Sequence, residues 1–599
     1  MAGTLTWPGP DLTNTNCLDQ DIFILSGSTV TINDNIEIVK DVLITVRAGG
    51  KLIIEGPGTT LSLSSACTSS DSWKGILVQG TNYERQRTGT GTYALDNYYS
   101  AQGLVKATNA AFRDMSNGIE SVNGGIIVAK KCNFINNRHS IQSSSYTYEG
   151  PPENIANLVE DCYFAWDEPW YNETNYSGRC FIFLWDVAGF EIAGCIFNNA
   201  DGDPYDLTVD EKARGIGIKI IGSNFLVHQT GFNAYVYADN DRDEYNCPKY
   251  DGTPIRSSFN TLSYGILIEN PSPTEDLFTV AYTDFHTNHL DISANNIKID
   301  PNTPEHKQKP CVIGKNNTFN FNHFTFDARF TTPASHVKRF ISFDAIEKFV
   351  ITDNEFIADR NGKQEFIRIN NTGTGYSRIY RNFFEDNGST HEESYANYID
   401  GPNGGLLIEC NDYEDFYYDW YLTNDATVGT TREIHLNTFS KTGPPPPAPD
   451  YDIFVEPGNP NSSMEYKFCA EYATAVNKPV VNSNFTVSPV ADGCSVNCDE
   501  LRCPGDPETG INSPATRDDR TVITILPNPS RPGTTVTLSS SEKILNLTII
   551  NAQGKLIAAQ SGYDITKINL PDNLTPGIYL FILTTSDNQL LTTKVLVND

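Results

Sequence analysis

Long apolar runs are missing from this chain of 599 residues. No stretch reaches the ~18 apolar residues of a membrane-spanning helix, so a transmembrane segment is excluded. The N-terminus, Met1-Ala2-Gly3-Thr4-Leu5-Thr6-Trp7, has neither the basic nor the apolar region of a secretory signal. Positive charge is scarce. The 43 Lys and Arg face 74 Asp and Glu, a formal charge of −31, which excludes nucleic acid or an anionic membrane surface as a partner held by bulk electrostatics. An acidic surface of this kind keeps a secreted protein soluble, or serves divalent cations or a cationic partner.

Cysteine is plentiful, with 13 residues in two groups. Cys132, Cys162 and Cys195 recur at one place in a repeat and are expected as buried free thiols. Cys469, Cys494, Cys498 and Cys503 crowd a turn-rich segment, where an oxidising extracellular setting favours disulfides. Zinc at Cys494, Cys498 and Cys503 would need a fourth ligand. His286 and His289 lie three apart, on opposite faces if the segment is a strand, so they do not converge on a metal.

The repeat sets the architecture. A small residue or Asn, one variable residue and an aromatic follow an apolar strand in Ala110-Ala111-Phe112, Cys132-Asn133-Phe134, Cys162-Tyr163-Phe164 and Cys195-Ile196-Phe197. The series continues through Phe232, Phe285, Phe319, Phe356 and Phe384. The shortest interval is close to one coil of a parallel β-helix. Stacked coils lie about 4.8 Å apart, so the series predicts an internal aromatic ladder, a thiol ladder, and an amide ladder at Asn354 and Asn382. The expected fold class is all-β, a right-handed parallel β-helix (solenoid) over residues 1–440 followed by a small C-terminal β-sandwich. Excess length in the long units must leave as loops, at 143–154, 166–178, 198–214, 233–258 and 301–310, and such insertions commonly build a working surface. Gly443-Pro444-Pro445-Pro446-Pro447 opens a stiff connector, and residues 441–520 read as connector and linker.

The last segment, 521–599, has the turn chemistry of a compact β module. Pro527 and Pro529 flank Asn528 and end a strand; Asn551-Ala552-Gln553-Gly554 marks a hairpin; Pro576-Gly577 marks a turn before Ile578-Tyr579-Leu580-Phe581. This ordered set resembles the C-terminal sorting domain of the Bacteroidetes type IX secretion system (Por secretion). The resemblance implies an Ig-like β-sandwich. It also implies a partner, the outer-membrane secretion machinery, and a secreted or cell-surface location, with the signal peptide already removed from this chain. The sorting residues it points to are Pro527, Asn528, Pro529, Gly554, Pro576, Gly577, Ile578 and Tyr579. Near the other end, Gly49-Gly50-Lys51-Leu52-Ile53-Ile54 followed by Trp73-Lys74-Gly75-Ile76 resembles the opening coils of secreted Bacteroidetes right-handed β-helix proteins.

Candidate chemistry sits in the loops. Asp239, Asp241, Asp243 and Glu244 alternate oxygen ligands and suit Ca2+, or form a solvated acidic loop; the glycine and final glutamate of an EF-hand are missing. A second acidic cluster runs from Asp201 to Asp206. Trp166, Trp170, Tyr171 and Trp420 are candidate glycan contacts, with covering the solenoid as the competing role. Hydrolysis of polysaccharide needs paired carboxylates, and lyase chemistry needs a base with charge neutralisation. The polygalacturonase-like series of Asn-Thr-Asp, Asp-Asp, Gly-His-Gly and Arg-Ile-Lys does not occur. The reading that follows is a non-catalytic surface or secreted β-helix protein whose solenoid loops serve glycan binding and adhesion, or a role in surface structure. The alternatives are a calcium-assisted lyase or glycoside hydrolase, and an extracellular filament subunit.

Overall fold

The computed structural model describes residues 4–7, 17–63, 72–88, 98–148, 155–166, 179–199, 215–230, 255–274, 277–286, 288, 290–298, 311–314, 317–321, 337–358, 363–375, 377–387, 394–423, 425–429, 437–441, 451–457, 465–469, 478–482, 486–490, and most of the strands between 524 and 597. The chain divides into two compact units, Met1–Asp506 and Pro507–Asp599.

The first unit is a right-handed parallel β-helix. Each coil places one strand on each of three faces. Face I is a 14-stranded parallel sheet that runs from Ile22–Ile24 to Ile453–Val455. Faces II and III are two strips of one 25-stranded sheet, joined where Lys51–Leu63 and Leu104–Arg113 span both. One complete coil shows the pattern, with His139–Tyr146 on face I, Leu158–Glu160 on face II and Tyr163–Trp166 on face III. The next coil repeats it with Cys180–Val187, Glu191–Ala193 and Ile196–Asn199, in register by parallel pairing. Strand pairing continues past residue 440, and the buried core extends to Tyr466 and Phe468.

The turn from face II to face III explains the repeat. Among the described residues, one in the left-handed region precedes most inward-pointing ladder residues: Lys131 (φ 54) before Cys132, Asp161 (φ 53) before Cys162, Asp353 (φ 54) before Asn354 and Arg381 (φ 52) before Asn382. Tyr282 (φ 50) does the same before Thr283. Such a conformation costs an L-residue about 1–2 kcal/mol, and the ladder contacts offset it.

The ladder changes chemistry along the axis. Cys132, Cys162 and Cys195 are buried and free, as expected, and outside the ladder Cys180 and Cys311 are buried on strands of faces I and II. Cys132 N–H donates to Cys162 Sγ at 3.4 Å, and Cys195 N–H to Ser257 Oγ at 3.1 Å. Amides then take over. Asn317 donates to Asn354, Asn354 to Asn382 and Asn382 to Asn411, each Nδ2 to Oδ1 at 2.9 Å, and Asn411 to Asn437 at 3.1 Å. The run ends on the Tyr466 hydroxyl, 3.3 Å from Asn437 Nδ2. Two residues on from each ladder position, aromatic rings stack with centroids 4.5–5.0 Å apart through Phe112, Phe134, Phe164, Phe197, Phe259 and Phe285. Phe356, Phe384 and Tyr413 stack in the same way at 4.7 and 5.0 Å, and the side chain of Phe319 lies outside the described residues. Phe259 takes the coil position that the sequence pattern assigns to Phe232, which lies outside the described residues.

The expected loops leave from all three corners. Insertions at 167–178 and 200–214 leave the III-to-I corner, those at 149–154 and 299–310 the I-to-II corner, and that at 231–254 the II-to-III corner. Of the second cysteine group, Cys494, Cys498 and Cys503 and the side chain of Cys469 lie outside the described residues, while Cys410 is in a disulfide.

The second unit is antiparallel. Thr524–Leu526, Thr535–Ser539 and Lys567–Asn569 form one sheet; Leu556–Ser561, Ile544–Asn551, Gly577–Thr585 and Leu590–Val597 form another. Val536, Leu538 and Ile568 of the first share one buried cluster with Leu547, Ile549, Phe581 and Leu583 of the second.

Candidate functional site

Strand alternation on face I sends one set of side chains outward, where coil stacking aligns them in rows. One row passes Gln142, Phe183, Lys219, Leu267, Ser293, Ser342, Arg368, Tyr398, Tyr421 and Phe454 on successive coils. A neighbouring row carries Ser144, Trp185 and Ile221, then Glu269, Asn295, Asp344, Asn370 and Asp400. Trp185 is 56% exposed. From its strand to that of Tyr398 the sheet advances six coils, roughly 29 Å at the inter-strand spacing.

The C-terminal end of this face is an aromatic platform. Tyr398 stacks on Tyr421 at 5.2 Å and Tyr421 on Phe454 at 5.5 Å; Tyr395 stacks on Tyr418 at 6.0 Å and Tyr418 on Phe454 at 4.8 Å. Lys363 Nζ lies 5.6 and 5.9 Å from the Tyr395 and Tyr398 rings, and Arg368 Cζ lies 5.3 Å from Tyr398, within cation–π range. Glu365 gathers the cations: Arg339 at 2.6 Å, Arg368 at 3.8 Å and Lys363 at 3.9 Å. Arg368 also reaches Asp400 at 3.4 Å. Basic groups here are thus neutralised by carboxylates within the face. Burial pushes the Tyr398 hydroxyl above its ordinary range, helped by Glu365 and Asp400. Burial, then the hydrogen bond to Glu456, does the same for Tyr421. Both phenols stay protonated at neutral pH, and Tyr421 donates to Glu456.

Two tryptophans proposed as glycan contacts turn inward instead. Trp166 is 5% exposed, its ring stacks on Phe181 at 3.7 Å, and its Nε1–H donates to the Asn137 carbonyl at 2.8 Å. Trp420 is 1% exposed and donates to the Tyr413 hydroxyl at 3.2 Å. Each side chain is consumed by the core, so neither offers a ring face to a sugar. The reason for Trp420 is a break in alternation, since Asp419 and Trp420 are both buried in succession. Trp170, Tyr171, Asp239, Asp241, Asp243 and Glu244 lie outside the described residues. Among the described residues no group of three or more His, Cys, Asp and Glu is placed to hold a metal ion.

Sequence reasoning missed Trp185, Phe183 and Tyr398. An available signal was outward placement relative to the flanking inward pair, as in Phe181-Ile182 before Phe183.

Face III carries a second polar feature. Glu385 and Glu414 stand directly opposite on neighbouring strands. The Glu414 carboxyl is raised by burial and then by Glu385, and that of Glu355 by burial and then by Glu385.

The sorting residues fall around the strands of the second unit. Ile578 and Tyr579 pair with Leu596 and Val595, and Tyr579 is buried. Gly577 opens that strand, while Pro527, Asn528, Pro529, Gly554 and Pro576 lie outside the described residues. Residues 524–598 match the model of the secretion system C-terminal sorting domain. The chain carries a type IX sorting domain. The sorting domain indicates secretion or cell-surface localisation and implies contact with the type IX machinery. No helix among the described residues is long and apolar enough to cross a membrane. No curated protein matches the chain. Among solved structures, a mutant tailspike protein of E. coli bacteriophage HK620 is similar at 10% identity, over 96% of this chain and 85% of that one, with a TM-score of 0.32. Another mutant of that tailspike, in complex with hexasaccharide, is similar at 10% identity over 99% and 86%, with a TM-score of 0.29.

Proposed function

We propose that this secreted chain is a non-catalytic glycan-binding protein whose working surface is the outer side of face I. The observation that carries this is the alignment of outward-facing rings with hydroxyls and amides along one face of a parallel sheet. Trp185 stands at one end, the Tyr398–Tyr421–Phe454 stack at the other, and Ser293, Asn295, Ser342 and Asn370 lie between. Aromatic faces stack on the C–H face of a pyranose, while the polar side chains meet its hydroxyls. Because the basic groups of the face are already paired and the whole chain is acidic, a neutral glycan is favoured over a polyanion.

A hydrolase is the second reading, favoured by Glu385 opposite Glu414 with the latter raised by burial, since hydrolysis of a glycosidic bond uses a pair of carboxylates. Calcium at Asp239, Asp241, Asp243 and Glu244 belongs to the same set of proposals. Incubating the full chain with immobilised neutral and acidic polysaccharides, with and without chelator, tests all three. Retention on neutral polymer without new reducing ends supports the first reading. New reducing ends would overturn it, and loss of retention with chelator would bring calcium into the site.

A further inference from the structure

Near the start of two face I strands, three side chains meet in the interior: Asn288 (0% exposed), Asp291 (1%) and Lys338 (3%). The asparagine alone has an ordinary explanation. Asn137 occupies the same kind of turn between faces III and I, where its Oδ1 accepts Met115 N–H at 2.8 Å and its Nδ2 donates to the Phe112 carbonyl at 3.1 Å. Asn288 repeats both contacts, with Leu262 N–H at 2.9 Å and the Phe259 carbonyl at 2.9 Å. Three residues on, the first turn has Ser140 and the second has Asp291. Turn geometry accounts for neither this aspartate nor the lysine brought to it from 50 residues away. A buried ion pair is costly, and this one is loose at 3.9 Å. Asp291 Oδ2 has no hydrogen-bond partner among the described residues.

We propose that Lys338 Nζ and Asn288 Cγ condense into an intramolecular isopeptide bond, with Asp291 as the proton donor. The parts are in place for each step. Lys338 Nζ donates to the backbone carbonyl of residue 288 itself, which tethers the nucleophile to the residue whose side chain it would attack. Leu262 N–H, already on Asn288 Oδ1, polarises the side-chain carbonyl and stabilises the oxyanion that forms when nitrogen attacks. Asp291 Oδ1 accepts from Asn288 Nδ2 at 3.0 Å, so its carboxyl faces the departing nitrogen. One proton passed from lysine to aspartate turns an ammonium and a carboxylate into an amine and a carboxylic acid, the uncharged pair that a dry site favours. Burial raises the Asp291 carboxyl against the opposing pull of Lys338, a shift in the direction of that state. The amine attacks Cγ, the C–Nδ2 bond breaks, and Nδ2 takes a proton from Asp291 and leaves as ammonia. The amine proton released on attack returns to the carboxylate. Amine and primary amide thus give secondary amide and ammonia, with no oxidant or cofactor. The product removes a buried charge pair and links neighbouring coils across the 322–336 insertion.

Peptide mapping of the purified full chain, denatured, reduced, alkylated and digested with trypsin, tests this. The expected result is a branched peptide joining residues 288 and 338, lighter than the two linear peptides by one ammonia, with no cleavage after Lys338. Asn137, which has no lysine beside it, gives only linear peptide. Linear peptides with intact Asn288 and Lys338, or a water-loss link from Lys338 to Asp291, would overturn the proposal. In folded Asp291→Asn the branched fraction should fall at least tenfold, and undiminished branching would remove Asp291 from the mechanism. Should that variant not fold, the wild-type map still decides.

Discussion

Replacing Asn382 with alanine cuts the amide ladder at its middle. Asn382 Oδ1 accepts from Asn354 N–H at 3.1 Å and from Asn354 Nδ2 at 2.9 Å, while its own Nδ2 donates to the Ile351 carbonyl at 2.9 Å. Asn411 Oδ1 keeps the Asn382 backbone N–H, so it is not orphaned. Asn354 Nδ2 likewise keeps the Ile313 carbonyl at 3.1 Å, so the groups that lose their side-chain partner without such a replacement are the Asn354 N–H and the Ile351 carbonyl. Each unsatisfied buried group costs about 1–3 kcal/mol, so the expected loss is about 2–6 kcal/mol. A long solenoid unfolds by nearest-neighbour steps, so the loss should be local. Amide hydrogen exchange resolves it: protection should fall most around residues 351–354 and 382, with little change near Phe112 and Phe134. Asn370→Ala is the control, because its contact with Asp344 at 3.0 Å is exposed, and it should cost under about 0.5 kcal/mol. Combining Asn354→Ala with Asn382→Ala should cost less than the sum, since the two side chains share a hydrogen bond that either change removes. A loss below about 1 kcal/mol for Asn382→Ala, or one equal to the control, would refute the view that the ladder holds these coils together.

Three further outcomes follow from the same geometry. Trp166→Ala and Trp420→Ala should each cost about 3–5 kcal/mol in chemical denaturation, whereas Trp185→Ala should leave stability within about 0.5 kcal/mol and weaken retention on glycan about tenfold. On face III the Glu355 and Asp412 carboxyls are raised above 4.5 and 3.8 by burial. The folded state then binds their protons more tightly than the unfolded chain does, so their contribution to stability falls as pH rises through the raised values and returns below. Glu355→Gln should accordingly raise the melting temperature at neutral pH and flatten its pH dependence. Cys132 is raised by its hydrogen bond with Cys162 and by burial, and burial pushes Cys180 up to about 12. These thiols should resist alkylation at neutral pH until the solenoid is unfolded, as mass spectrometry after iodoacetamide would show.

The repeat was legible because one residue type recurs two positions before an aromatic, and both positions face the interior. Cys132 with Phe134 and Asn382 with Phe384 therefore announce the coil before any pairing is known. Phe232 misled because its Thr-Gly-Phe context copies that signal inside the longest insertion, whereas Ser257 and Phe259 fill the coil with a less telling ladder residue. Trp420 misled for a different reason. Aromatic clustering in Tyr417-Tyr418-Asp419-Trp420-Tyr421 is visible in sequence, but two consecutive inward residues break the period-two rule that would sort the rings into core and surface. Trp185 and Tyr398 were hidden because outward residues of a solenoid need no period of their own, and only stacking of coils far apart in sequence aligns them.

The II-to-III turn after residue 228 has an engineering consequence. Thr230 N–H donates to the Ile255 carbonyl and Ile255 N–H to Thr230 Oγ1, both at 2.9 Å, so the coil is closed at the base of the insertion. Phe197 and Phe259 stack at 4.5 Å across it, within 0.5 Å of the 5.0 Å between Phe112 and Phe134, where no insertion intervenes. Foreign peptides spliced between Thr230 and Ile255 should be displayed without altering the pitch, which makes this corner a port for grafting new recognition onto an exported protein.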